Sequence, residues 1–373
     1  MGLRITDLPT PAVLVDWPTL TRNLSRMQSA ANARGLRLRP HAKTHKSPRI
    51  AALQIERGAV GICCAKLGEA EVFADQGITD IRLPYPLNPA NADRVFALAS
   101  RVLLSFIVDD PAVADAWSSL AVARGVRLDV LVKVDTGFHR CGIDPQSPAA
   151  PGTVRAIAAM PGLRFRGLLS HAGHAYGATS EKGAEAIAAA EAQTLRDLAT
   201  ASGVACPEIS VGATPTARFS MTQEGLTELR PGNYAYFDRT QVALGAATWA
   251  DCALTVLARV VSRPAPDRVI LDSGSKTLTN DLARGFINTA GYGAVLRDIT
   301  RPEPDTSLVI ERLSEEHANV RVLDGETALV TGNLARIIPN HSCVVSNLVD
   351  HVWLVDGEQV LEPLPVAARG RIT

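Results

Sequence analysis

The sequence has no surplus of charge. Its 38 basic residues balance its 38 acidic ones, so the formal net charge is zero. A balanced chain offers no bulk electrostatic reason to bind nucleic acid or a membrane surface, and neither is expected as a partner. It also lacks any apolar stretch near the ~20 residues that a membrane-spanning helix needs. The opening MGLRITDLPTPAVLVD has no basic segment leading into an apolar run, so no secretory leader is expected and a cytoplasmic location is. Cysteine is sparse. The six (Cys63, Cys64, Cys141, Cys206, Cys252 and Cys343) follow no framework spacing. They read as reduced thiols, with Cys343 set aside for a second role. No solenoid repeat, low-complexity run or long linker interrupts the chain.

What the sequence does have is size and rhythm. Its 373 residues exceed one small core and suit a large domain plus a smaller one. From about residue 36 to 240, short apolar runs alternate with Ala-rich amphipathic segments. The strand-like runs are LRLRPHAKT, VGICCAK, DIRLPYPL, LLSFIVDD, LDVLVKVDTG, LRFRGLLSHAG, PEISVGAT and ELRPGNYAYF. Helical segments such as SPRIAALQIERG, LGEAEVFADQG, PAVADAWSSLAVARG and EKGAEAIAAAEAQTLRDLATASG lie between them, each ending near a Gly. Eight such alternations predict an α/β chain built on a (β/α)8 TIM-like barrel; an open doubly wound sheet is the alternative reading. After about residue 245 the pattern becomes apolar–polar alternation with turn residues, which predicts a C-terminal antiparallel β-domain. The early run AVLVD (12–16) has no place in the barrel and is expected to join that domain. The expected division is 17–245 for the barrel and 1–16 plus 246–373 for the β-domain.

One segment stands out from this mild background. RPHAKTHK (39–46) packs two lysines, two histidines and an arginine into eight residues. Strand phase puts Arg37, Arg39, His41 and Lys43 on one face, directed into the barrel where a structural strand would carry Val, Ile or Leu. A solvated strand end is the bland alternative. A lysine beside Arg39 and His41 and partly desolvated has its charged form disfavoured, which makes it an amine nucleophile for a carbonyl. Lys43 is the candidate. Lys46 lies past the phase break and is expected at the surface.

A lysine at the end of the first barrel strand, followed by a β-domain, resembles the alanine-racemase-type (fold-type III) pyridoxal 5′-phosphate (PLP) enzymes. The RPHAKTHK form resembles the D-threonine aldolase/D-serine dehydratase group among them, over most of the chain. The resemblance implies that Lys43 forms the internal Schiff base with PLP. SVGATPT (210–216) ends a strand and opens a helix. Gly212 allows close backbone approach, and Thr214 and Thr216 offer hydroxyls near where barrels commonly hold phosphate. The segment also matches the family's phosphate-binding stretch. RPGNYAYFD (230–238) resembles a second phosphate contact, through Gly232, Asn233 and Tyr236, although an aromatic patch closing the barrel has the same composition. By resemblance Arg140, in DTGFHRCG, contacts the cofactor's phenolic oxygen. SHAGHAY (170–176) supplies His171 to stack on the ring, with His174 and Tyr176 at the mouth and Tyr176 facing the pyridine nitrogen. Lys43, His171 and Arg140 form the expected catalytic set.

PNHSCVVSN (339–347) places His341 and Cys343 two apart in a strand-like run, hence on one face. Imidazole and thiolate together suit a borderline-soft ion, Zn²⁺ before Mn²⁺ or Mg²⁺, yet two ligands leave a tetrahedral shell short. In the resembling group this segment supplies both protein ligands, and water and the substrate hydroxyl complete the sphere. EEHA (315–318) resembles another family segment, which adds Glu316 and His317 as lesser candidates. The resemblance implies a homodimeric lyase for D-3-hydroxy amino acids. Dehydration would give a 2-oxo acid and ammonia; retro-aldol cleavage would give glycine and an aldehyde. His-x-Cys resembles the dehydratases, whereas the aldolases carry His-x-Asp. GICCAK, PAPDRVILDSG and VAARG look at least as close to the aldolases. An amino-acid racemase shares the fold and would want a second acid/base, for which Tyr292 is the sole tyrosine after residue 240. A non-catalytic PLP carrier and a barrel for a phosphorylated metabolite complete the alternatives.

Overall fold

The computed structural model describes residues 2–373. Strand β1 (Ala12–Asp16) is followed by β2 (Arg37–Leu38), β3 (Ile62–Cys63), β4 (Asp80–Pro86), β5 (Leu103–Val108), β6 (Leu128–Lys133), β7 (Leu163–Leu169), β8 (Glu208–Val211) and β9 (Glu228–Leu229). The last eight form one parallel sheet in the order β2-β9-β8-β7-β6-β5-β4-β3. A bridge between His41 and Cys63 joins its ends, supported by the Cys63 amide on Pro40 oxygen at 2.8 Å. Each apolar run named above contributes one of these strands, and helices cross over between successive strands, as parallel pairing requires.

The helices begin and end where local chemistry dictates. Asp16, Asp110 and Ser180 cap the helices Trp17–Asn32, Pro111–Ala123 and Glu181–Ser202 by accepting from Thr19, Ala112 and Gly183 amides. The last ends at Gly203, whose φ of +66° is costly for a residue with a Cβ. Among the described residues, no helix is long and apolar enough to cross a membrane.

The remaining strands are β10 (Leu254–Ala265), β11 (Arg268–Leu271), β12 (Ala294–Val295), β13 (Leu308–Leu313), β14 (Ala318–Val322), β15 (Leu334–Ile338), β16 (His351–Asp356) and β17 (Gln359–Pro365). They form a second, mostly antiparallel sheet in the order β13-β14-β11-β10-β1-β16-β17, with β15 between β10 and β12. As expected, β1 belongs here. It runs antiparallel to β10 and parallel to β16.

The barrel interior is charged where aliphatic layers are usual. Glu228, fully buried, accepts from Arg39 Nε at 2.9 Å, from Ser210 Oγ at 2.7 Å and from Arg82. Arg82 reaches Glu208 at 2.6 Å and Ser105 at 2.9 Å, and Arg166 closes on Glu208 at 2.8 Å. Arg39 also pairs with Asp80 at 2.6 Å. Its charge is therefore used in the barrel floor rather than on Lys43, a correction to the expectation from strand phase.

Burial alone would raise the Glu228 carboxyl, but Arg82 and Arg39 hold it at about 2, below its ordinary 4.5. A carboxylate with a depressed folded pKa contributes stability that is full above 4.5 and lost as pH falls toward 2. Glu228→Gln leaves two buried guanidiniums short of charge, and a loss of about 3–5 kcal/mol is expected. Urea unfolding at pH 7 checks the loss. The gap between variant and wild type should narrow as the pH is lowered through that window.

Candidate active site

The regular alternation stops early. After β2 the chain passes the bridge at His41 and folds into a single 3-10 turn, Ala42–Thr44. Lys43 therefore reaches the cavity from a turn, not from a strand face. It lies deep in the fold, yet its side chain is bare because it faces an opening of about 290 Å³ at the end of the barrel. Burial lowers its pKa below 10.5; Cys343 and Glu69 oppose that and Arg140 and Arg230 add to it. No carboxylate pairs with it among the described residues.

Lys46 is not at the surface. Its side chain is buried, with Nζ 2.7 Å from Asn347 Oδ1 and 3.1 Å from Glu69. Its backbone takes a φ of +48°, its amide donates to Ala42 oxygen, and its carbonyl accepts from Ala368. It pins the turn that carries Lys43.

His341 and Cys343 both line the cavity. They sit where β15 has ended and the helix Ser342–Leu348 begins, so it is a helix start, not a strand face, that brings them together. The helix docks on the lysine turn: Cys343 Sγ is 3.2 Å from Thr44 Oγ1, and Ser346 Oγ donates to Thr44 oxygen at 2.6 Å. Buried Asp238 fixes the helix start by accepting from the Ser342 amide at 3.0 Å and from Asn233 Nδ2 at 2.6 Å. Asp281 takes His341 Nδ1 at 2.6 Å, which leaves Nε2 for a ligand. Burial would lower His341 and raise Cys343. Each nonetheless draws the other to its charged form, with His341 raised to about 10 by Cys343, Asp238 and Asp281 and Cys343 brought below 9.

The other expected residues divide. Gly212, Thr214, Gly232, Asn233, Arg140, His171 and Tyr176 line the cavity. Thr214 Oγ1, Asn233 Oδ1 and Tyr236 Oη are buried without a partner, although Tyr236 stands behind the lining. Thr216 is already bonded to Ala213 oxygen at 3.3 Å. The helix after Thr216 is one turn, Ala217–Ser220, so its dipole offers an anion little. The glycines serve packing first: a Cβ on Gly212 would come within 2.8 Å of Arg230 Cβ, and one on Gly232 within 2.7 Å of His41 oxygen.

The His171 Nδ1–H donates to the Gly212 carbonyl, and burial together with Lys43 keeps the ring neutral, so Nε2 is an acceptor. Arg140 leaves a turn in which Asp135 Oδ1 accepts three successive amides at 3.0 Å, and its guanidinium lies 5.0 Å from the Phe138 ring centre. Tyr176 Oη accepts from Gln241 at 3.4 Å. His174 lies in an outer vestibule rather than the cavity. Glu316 pairs with Lys276 in an exposed β13–β14 turn beside His317, away from the cavity. Tyr292 is half-buried against the core and does not line the cavity. Sequence reasoning missed Asp281, Arg284, Arg230 and Asp238. Arg230 and Asp238, which open and close RPGNYAYFD, lay in a motif already under scrutiny; Asp281 and Arg284 lay in none.

A parallel barrel that presents a bare lysine, joined to an antiparallel domain that brings a His–Cys pair to the same cavity, defines an alanine-racemase-type two-domain protein. The family model "Alanine racemase, N-terminal domain" matches residues 15–240, and "Putative serine dehydratase domain" matches 253–355. The chain belongs to this family. It is 36% identical to a D-threonine aldolase of an Arthrobacter species, covering 99% of this chain and 95% of that protein. It is 34% identical to the D-threo-3-hydroxyaspartate dehydratase of Delftia sp. strain HT23, covering 91% and 92%. The solved structure of that dehydratase matches with a TM-score of 0.88 at 31% identity over 97% of this chain and 98% of that one. Solved variants of a D-threo-3-hydroxyaspartate dehydratase replace a histidine, or a cysteine two residues further on, by alanine, the latter in a metal-free form.

PLP is the cofactor this family implies. The residues present fit it. A deep amine without a carboxylate faces the cavity, and the buried Thr214 hydroxyl and Asn233 amide oxygen in its lining lack partners, a costly state unless a ligand bonds them. A divalent metal also fits His341 and Cys343. An imidazole braced through Nδ1 by a carboxylate, beside a thiol whose pKa His341 draws below its ordinary value, is a two-ligand donor set with open positions. No cluster of three or more His, Cys, Asp or Glu ligands occurs among the described residues.

Proposed function

We propose that the chain is a PLP- and divalent-metal-dependent lyase that dehydrates D-3-hydroxy amino acids, D-serine or D-threo-3-hydroxyaspartate, to a 2-oxo acid and ammonia. The observation that carries this reading is the meeting of Lys43 with His341 and Cys343 in one cavity. Lys43, Arg140, His171, Tyr176, Gly212, Thr214, Gly232, Asn233 and Tyr236 would hold PLP. His341 and Cys343 would hold the metal, with Zn²⁺ favoured over Mn²⁺ or Mg²⁺ by the thiolate. When bound, PLP supplies an electron-withdrawing ring that eases heterolysis at the substrate's α-carbon, and the metal supplies Lewis acidity toward the 3-hydroxyl.

The chain's own residues supply the rest. Lys43 Nζ, its charged form disfavoured by burial and by Arg140 and Arg230, accepts the α-proton. Neutral His171, held by Gly212, packs as a flat acceptor without adding charge. Arg140 and Arg284 make the mouth positive and draw in a carboxylate. Loss of the α-proton and the β-hydroxyl gives an enamine, which hydrolyses to the 2-oxo acid and ammonia. A racemase would want a tyrosine of the β-domain in the cavity, and none lines it among the described residues.

The aldolase reading is favoured by the 36% identity to a D-threonine aldolase. One assay separates the two. PLP-loaded protein with Zn²⁺ or Mn²⁺ is given D-serine, D-threonine and D-threo-3-hydroxyaspartate in turn, and 2-oxo acid and glycine are both followed. Oxo acid as the main product is expected; glycine plus aldehyde would make the chain an aldolase. We further propose the division of the chain into 17–245 and 1–16 plus 246–373, a homodimer, and a cytoplasmic location in keeping with its six free thiols.

A further inference from the structure

We propose that Thr44 and Asn233 form a two-donor cradle for the Cys343 sulfur, and that this cradle sets how firmly the His341–Cys343 pair holds its metal. The inference rests on the metal reading above and assigns two positioning residues to it.

The sulfur is met from two sides. Thr44 Oγ1 lies 3.2 Å from Cys343 Sγ, and Asn233 Nδ2 lies 3.4 Å from it. Thr44 and Asn233 both line the cavity, and both are buried. A cysteine that ligates a metal does so as a thiolate, which can only accept hydrogen bonds. The Thr44 hydroxyl is therefore the donor of the first contact. Threonines in helical turns often bond back to a carbonyl of their own segment. Thr44 Oγ1 does not; among the described residues its one hydrogen-bond partner is Cys343.

The Asn233 amide is oriented from behind. Nδ2 donates to Asp238 Oδ2 at 2.6 Å, and Asp238 Oδ2 also accepts from the Ser342 amide at 3.0 Å. The second Nδ2 hydrogen is left for Ser342 Oγ at 3.2 Å and the sulfur. The amide nitrogen of Asn233 is thus committed to the metal side of the cavity.

The fold explains how two donors reach one atom. They follow strands β2 and β9, which pair in parallel, so the chain segments leave the sheet side by side. Gly232 lets them stay close. A Cβ there would lie 2.7 Å from His41 oxygen and 3.0 Å from Thr44 Oγ1, which would push the hydroxyl off its line to Cys343. Hydrogen bonds of this kind fix the direction of a ligand's lone pairs and draw off part of its negative charge. Partners that hold a metal's ligands from outside typically change its affinity about 10- to 100-fold.

The test reads metal binding and so does not depend on which bond the enzyme breaks. PLP-loaded wild type, T44V, T44A and T44S are stripped with EDTA. Each is titrated with Co²⁺ in competition with a chromophoric chelator, and the visible bands of bound Co²⁺ are recorded. T44V and T44A are expected to bind Co²⁺ about 10-fold more weakly than wild type, with displaced bands. T44S keeps the hydroxyl and should restore both affinity and bands. The cofactor's own absorbance should be unchanged, which separates a lost donor from a loosened lysine turn. T44A removes the hydroxyl without reshaping the side chain, so it decides if T44V does not fold. Wild-type affinity and bands in T44A overturn the proposal. So does a T44S that behaves like T44A, because the methyl group and not the hydroxyl would then matter. Failure of the metal reading would appear separately, as Cys343→Ala protein that binds Co²⁺ like wild type.

Discussion

Lys43→Ala is expected to lower turnover at least about 1000-fold, since it removes both the amine that meets the cofactor and the base positioned for the α-proton. Lys43→Arg should lose nearly as much. It keeps a cation, but a guanidinium neither gives up its proton nor attacks a carbonyl under these conditions. Stability should move the other way. The Lys43 side chain has no carboxylate partner and stands bare in the cavity, so its removal should leave the thermal midpoint within a few degrees of wild type. Lys46→Ala is the contrasting control. It strips buried Glu69 and half-buried Asn347 of their cation, and breaking such a buried pair costs about 3–5 kcal/mol. The two lysines, three residues apart, are thus expected to separate catalysis from folding, read out by turnover per folded molecule and by thermal unfolding. Equal effects on both quantities in both variants would remove Lys43 from its role.

The second large effect is expected at Cys343. Cys343→Ala leaves His341 as a lone ligand, and bound metal should fall well below one per chain when measured by atomic emission. Turnover should drop about 100- to 10,000-fold, with the same loss in wild type treated with EDTA and recovery on adding Zn²⁺. Cys343→Asp replaces a soft ligand with a hard one, so activity should return preferentially with Mn²⁺ or Mg²⁺. Asp281→Asn acts one bond further out. It weakens the brace on His341 Nδ1 and should reduce metal affinity about 10- to 100-fold without abolishing it. Retained activity in Cys343→Ala after exhaustive EDTA treatment would leave the His–Cys pair without a chemical task.

Much of this architecture was legible from local pattern. Each barrel strand coincides with an apolar run of the sequence, and AVLVD, surplus to the barrel, does pair with β10 and β16. Periodicity reports which residues are buried, and that decides fold class. It does not report where an element stops. Strand phase was carried through to Lys43, although the chain turns at Ala42; Pro40 and the His41 bridge end the ladder first. The same limit applies at His341 and Cys343, which a strand reading put on one face and a helix start in fact brings together.

Partnerships across the chain were invisible for a different reason. Lys46 looked like a surface lysine because Glu69 and Asn347, which make its burial tolerable, lie 23 and 301 residues away. Asp281 and Arg284 sit in a loop with no motif of its own and gain meaning only when that loop folds over Thr240 and Ala243. Arg39 was credited with tuning the lysine, and the barrel floor instead takes its charge on Glu228 and Asp80.

The seam between the lysine turn and the helix Ser342–Leu348 has a thermodynamic consequence. Thr44 touches Cys343 and Ser346, and Lys46 touches Asn347, so the order of each segment supports that of the other. Free energy gained by stiffening one is shared with the other, and linkage makes that sharing reciprocal. Occupancy at His341 and Cys343 is therefore expected to change affinity for whatever binds at Lys43, and linkage requires the converse loading order to produce the same factor. Two sites carried by a turn and a helix start far apart in the chain would then act, in binding, as a single coupled unit.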